Sequence, residues 1–149
     1  MFEKTVEHYK QKFENQKDLV NIDDVEDRAN AFGIHNLKKE LLANSIEFKD
    51  FALTLAKVMP GQVSCVLYSI VISKLADKYN IPYKKYVGFC IPKNLANYEE
   101  NINAYNKGKE KGEEHPVFAT HMYVVINDSF YEYYSGSFDN IEHIDVVEI

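Results

Sequence analysis

Apolar positions recur at helical spacing through the first part of the chain and alternate with polar ones at strand spacing near its end. Phe2, Val6, Tyr9 and Phe13 follow one another every three or four residues, which sets them on one helical face with Glu, Lys and Gln opposite. Asn21 or Asp23 offers a cap for a second helix running to about Phe32, and Gly33 is suited to stop it. A third helical stretch begins near Asn36 and covers Leu37 to Leu42. A fourth runs from about Ile46 to Val58, with Phe48, Phe51, Leu55 and Val58 on one side. This half shows no motif chemistry, and His8 and His35 read as surface or boundary residues.

The character changes at Met59-Pro60-Gly61. The segment Cys65 to Tyr79 is apolar on every face in its first turns and carries charge only at Lys74, Asp77 and Lys78, which predicts a helix surrounded by protein. Asn80-Ile81-Pro82 ends it, and Tyr83 to Ile91 reads as a strand leading to Pro92, with Cys90 inside it as a packing residue. Leu95, Tyr98, Ile102 and Tyr105 keep helical spacing, so a short amphipathic helix is expected, followed by a Gly/Lys/Glu loop over Lys107 to Glu114. Phe118 to Ile126 is a strand, Asn127-Asp128 a turn, and Ser129 to Tyr134 the antiparallel return. Asp139 to Ile149 offers one or two further short strands. The pattern predicts an α+β fold in a single domain over 1–149. A helical part, 1–59, precedes a core, 60–149, in which the Cys65 helix packs on an antiparallel sheet.

Composition narrows the classes. With 149 residues, 46% hydrophobic and 13% aromatic, including 11 Tyr and 9 Phe, the chain can bury an ordinary core. A net charge of −6, with no Lys/Arg cluster interleaved among the aromatics, argues against a nucleic-acid partner. The start of the chain lacks the apolar run of a signal peptide, and no segment reaches bilayer-spanning length, so a cytoplasmic protein with no membrane partner is expected. Richness in Asn, Lys, Tyr and Ile fits an AT-rich coding genome, bacterial or viral. Two cysteines are too few for a disulfide framework.

Cys65 is the residue with most chemistry to offer. A helix start leaves N–H groups unpaired and carries about half a positive charge, which favours a thiolate there. With Ser64 as N-cap, Cys65 falls at the first helical position, where thiol pKa values drop from about 8.5 to roughly 3.5–7.5. Packing is the plainer role for a free Cys. His121 opens the first strand of the hairpin, in Ala119-Thr120-His121-Met122-Tyr123-Val124-Val125-Ile126. A zinc site from Cys65, Cys90, His115 and His121 is the weakest option, because the paired short spacings of zinc modules are lacking. No metal and no cofactor are expected.

The order of a Cys opening a buried helix, a strand, and a His opening a hairpin is similar to papain-like thiol enzymes. Gly61-Gln62 ahead of Cys65 resembles the segment before the nucleophile of the transglutaminase-like superfamily. Leu75 to Phe89 resembles its helix, Pro turn and strand, and His121-Met122-Tyr123-Val124-Val125 its histidine strand. The resemblance covers about Pro60 to Gly136. NlpC/P60-like peptidases share the Cys-then-His order, and the Pro82 turn directly before a strand favours the transglutaminase-like side. The resemblance implies a papain-like fold and a cysteine hydrolase or acyltransferase acting on an amide of a peptide or protein. Cys65 would be nucleophile and His121 general base, with the Cys65 N–H and the Gln62 side chain at the oxyanion. The family's usual Asp is absent, and Ser135 falls nearest its place. A two-residue turn would set Glu132 and Tyr134 on the face of His121, whereas a three-residue turn would set Tyr133 and Ser135 there, and Asp139 could return from the loop. Glu132 is favoured because a carboxylate both orients an imidazole and stabilises its protonated form. The alternative is a catalytically inactive member of the same fold acting as a protein-binding module.

Overall fold

The computed structural model describes residues 2–31, 33–43, 64–93, 96–111, 119–133 and 141–149. The helical stretch expected over Ile46 to Val58 lies outside them. Three helices lead: α1 (Phe2–Lys17), α2 (Ile22–Ala31) and α3 (Leu37–Leu42). Asn21 caps α2, its Oδ1 accepting from the Asp24 N–H at 3.1 Å. Gly33, at φ +90°, ends it while Ile34 N–H returns to the Ala29 carbonyl, a left-handed exit in which glycine carries no Cβ penalty.

The next described element is α4 (Cys65–Lys78), with Val66, Tyr68 to Ser73, Leu75 and Ala76 all buried. Its two buried serines are satisfied along the helix and onto the sheet. Ser73 donates to the Ser69 carbonyl at 2.7 Å, and Ser69 reaches the Met122 carbonyl at 3.4 Å. Asn80, at φ 56°, turns the chain out while Ile81 N–H closes on the Ala76 carbonyl at 2.8 Å.

The sheet comprises β1 (Lys84–Pro92), β2 (Ala119–Ile126), β3 (Ser129–Tyr131) and β4 (Ile141–Glu148), with α5 (Tyr98–Glu110) between β1 and β2. Its order is β3-β2-β1-β4 and every pairing is antiparallel. Met122, Val124, Ile126, Val87 and Tyr131 share one core with the apolar side chains of α4, and Val6, Phe13, Val25 and Leu41 from the leading helices close it from the other side. The described residues thus form five helices and a four-stranded antiparallel sheet, an α+β arrangement. None of those helices is long and apolar enough to cross a membrane.

Two local expectations are corrected. The segment Lys107 to Glu110 is not loop but the last turn of α5, with Gly108 buried. Asp145 is the reason: at φ 51° it sits in a bulge of β4, where its carboxylate takes a hydrogen bond from Tyr105 and an ion pair from Lys109 at 2.8 Å. Composition marked this turn as loop because the partner lies 36 residues on. The hairpin return also ends sooner than expected, at Tyr131.

The bulge depends on Gly88. A Cβ there would lie 2.6 Å from Val146 Cγ1 and 3.0 Å from Val146 Cα, so β4 could not keep its seat on β1. Gly88→Ala is expected to cost about 1–3 kcal/mol, read from the midpoint of a urea transition. An unchanged midpoint would contradict the close approach.

Candidate active site

Ser64 caps α4 from an extended backbone, its Oγ accepting from the Leu67 N–H at 3.1 Å, so Cys65 is the first helical residue. The helix runs along β2 such that Ser69 bonds the Met122 carbonyl, and the Cys65 thiol meets the Met122 N–H and the His121 ring. Burial alone would raise the thiol pKa. The hydrogen bond and charge of His121, the Met122 N–H and the charge of Lys12 outweigh burial, and the pKa is lowered.

His121 is buried at 3% exposure. Its Nε2 points to Glu132 Oε2 at 3.6 Å, an ion-pair distance, which leaves Nδ1 as the nitrogen that meets the thiol. Burial opposes protonation of this ring, but the thiol and the Glu132 carboxylate override it and lift its pKa to about 9. Cys65 and His121 therefore favour the thiolate–imidazolium form.

Glu132 reaches His121 because the hairpin turn has two residues. Asn127 and Asp128 both take positive φ, and the ladder pairs Ile126 with Ser129 and Val124 with Tyr131. That register sets position 132 across from Tyr123, two residues along β2 from His121. Burial would raise the Glu132 pKa, but donors from His121 and His143 hold it at about 2. The three-residue turn, which would have aimed Tyr133 at the ring, is not adopted. Tyr133 instead packs near Tyr68, with ring centroids 6.4 Å apart. Gln62, Tyr134, Ser135, Asp139 and His115 lie outside the described residues. Cys90 is buried on β1, and among the described residues no group of three or more His, Cys, Asp or Glu is arranged to hold a metal.

Two residues that sequence patterning passed over also belong here. Tyr9 of α1 donates to the Thr120 carbonyl at 3.0 Å and lies 2.9 Å from its Oγ1, beside Cys65. The helical half, which shows no motif, therefore supplies a hydroxyl to the site. His143 of β4 meets Glu132 Oε2 at 2.7 Å. Nothing local marks His143, because the strand that carries it reaches the site only by pairing with β1.

Compared with known protein families, curated proteins and solved structures, the chain gives no match in any of the three.

The shifted groups link the site to stability. Glu132, lowered from 4.5 to about 2, contributes stability that is present above pH 4.5 and lost as pH falls toward 2. His121, raised from 6.5 to about 9, contributes below pH 6.5 and loses it as pH rises through 9. Thermal midpoints recorded against pH should fall more steeply for the wild type than for Glu132→Gln between pH 4.5 and 2, the two curves converging at the acid end. Parallel curves would show that Glu132 is not ionised against the two rings.

Proposed function

We propose that this chain is a transglutaminase-like cysteine hydrolase or acyltransferase with a papain-like arrangement, acting on an amide through a thioester at Cys65. The observation that carries the reading is the line of thiol, imidazole and carboxylate at the start of a buried helix, with Glu132 3.6 Å from His121 Nε2. The order of Cys helix, strand, helix and His-bearing hairpin supports the same reading.

The chemistry follows from the parts. The Cys65 thiolate attacks the amide carbonyl carbon, and the N–H of Cys65, unpaired at the helix start, donates to the oxyanion; such a donor is worth about 2.7–4 kcal/mol. His121 Nδ1–H passes its proton to the amide nitrogen, the C–N bond breaks, and the amine leaves with a thioester in place. Water then attacks, His121 takes its proton, and the C–S bond breaks to release the acid and restore the thiolate–imidazolium pair. An amine in place of water gives acyl transfer by the same steps. Hydrolysis is the first choice because it requires no second substrate pocket. Glu132 holds the ring and balances its charge throughout.

Iodoacetamide at pH near 6.5 should alkylate Cys65 at least about tenfold faster than buried Cys90. His121→Ala should remove that selectivity, and Cys65→Ser should abolish both the label and thioester formation from p-nitrophenyl acetate. Loss of the histidine is expected to slow turnover of that ester by about 10²–10⁴. Equal, slow labelling of the two cysteines would overturn the enzyme reading and favour a binding module of the same fold.

A further inference from the structure

The line of hydrogen-bonding groups does not end at Glu132. Its Oε2 is shared by two imidazoles, His143 Nε2 at 2.7 Å and His121 Nε2 at 3.6 Å, and the nearer ring is the one that does not touch the thiol. An ionised carboxylate only accepts, so His143 Nε2 carries a hydrogen and donates it. The His143 ring is itself held. Its centroid lies 4.5 Å from Tyr123 and 4.9 Å from Phe130, and its side chain is 13% exposed. The titratable groups around it are Glu132 beyond β3, His121 and Tyr123 on β2, and Cys90, its register partner on β1.

Glu132 follows the last residue of β3, so strand pairing does not fix it. A carboxylate in that position turns about its side-chain torsions unless something holds it, and a turned carboxylate no longer faces His121. β4 supplies the hold from the far edge of the sheet, across β1.

The geometry points to His143 as the positioning residue of the site: by donating to Glu132 Oε2 it fixes the carboxylate that faces His121 Nε2, and so keeps His121 Nδ1 turned to the Cys65 sulfur. The inference rests on the thiol reading above and extends its three residues to a line of four. It also assigns β4 a role in the chemistry through the carboxylate.

The test is the rate of iodoacetamide labelling at Cys65, followed by mass spectrometry from about pH 5 to about pH 9, in wild type, His143→Leu and His143→Gln. Leu removes the donor, whereas the Gln amide returns an N–H near the place of Nε2. The wild type should show a low-pH labelling phase. In His143→Leu that phase should weaken about tenfold, the fall for one unit rise in thiol pKa, while the rate at high pH stays unchanged. His143→Gln should stay within about threefold of wild type, and in a Glu132→Gln background His143→Leu should add less than about twofold, because it acts through the carboxylate. A His143→Leu profile that superimposes on wild type overturns the inference, as does an equal loss in the Leu and Gln variants or a full additional loss in the Glu132→Gln background. If the Leu variant does not fold, His143→Asn replaces it, since its shorter amide cannot reach Glu132, and the same outcomes apply. A wild type without the low-pH phase would overturn the thiol reading and this inference together, whereas a normal wild type with an unaffected Leu variant would overturn this inference alone.

Discussion

Burial of α4 on all sides is the constraint on which the rest depends. A helix with Val66, Tyr68, Ile70, Val71, Ile72 and Leu75 all at or near zero exposure needs protein around its whole circumference, and no single layer provides it. The sheet covers it with Val87, Met122, Val124 and Ile126, and the leading helices cover it with Val6, Phe13 and Val25. Burying a side chain of this kind contributes about 1.5–3 kcal/mol, and among the described elements this helix carries the most buried residues. Its first residue must then emerge against β2. This buried helix and the thiol at its start are placed by the same packing.

Charge in such a place has to be balanced, and here it is balanced in series. Each group in the line is disfavoured by burial and restored by its neighbour: Cys65 by His121 and the Met122 N–H, His121 by Cys65 and Glu132, Glu132 by His121 and His143. Removing one member of such a line leaves an uncompensated charge, which is why buried ionic networks respond so strongly to single substitutions. The carboxylate makes its shorter contact to the outer ring and its longer one to the inner ring. The inner ring is thereby held less closely by the carboxylate than the outer ring. α1 closes the arrangement from the other direction, with Tyr9 anchored on Thr120 and Lys12 lending positive charge to the thiol.

Much of the local structure was legible in the residues themselves. The face of Val6, Tyr9 and Phe13, the cap at Asn21, the stop at Gly33, the cap at Ser64 and the turn at Asn127-Asp128 each rest on chemistry confined to a few neighbouring positions. α5 shows the limit of that logic. Lys107 to Glu110 has loop composition, yet Asp145, reached only through the pairing of β4 with β1, holds it as helix. The candidate site divides in the same way. Cys65 and His121 stand out by their places on a helix start and a strand, and Glu132 could be ranked only once the turn length was known. His143 carried no local sign at all, and Tyr9 showed only its place on the apolar face of α1.

By itself, then, the sequence determined the two periodicities, the all-apolar helix, the thiol at its capped start and a hairpin turning at Asn127-Asp128, while the two-residue register that sets Glu132 beside His121 came from the structure. Tertiary structure alone decided that β4 pairs with β1 and so carries His143 to Glu132, and that α1 folds back to put Tyr9 against Thr120, 111 residues away. The physical reason is range. Periodicity, caps and turns act within about one turn of helix or one hairpin. Contacts between distant segments are selected by how whole faces bury one another, and no short stretch of chain encodes that choice.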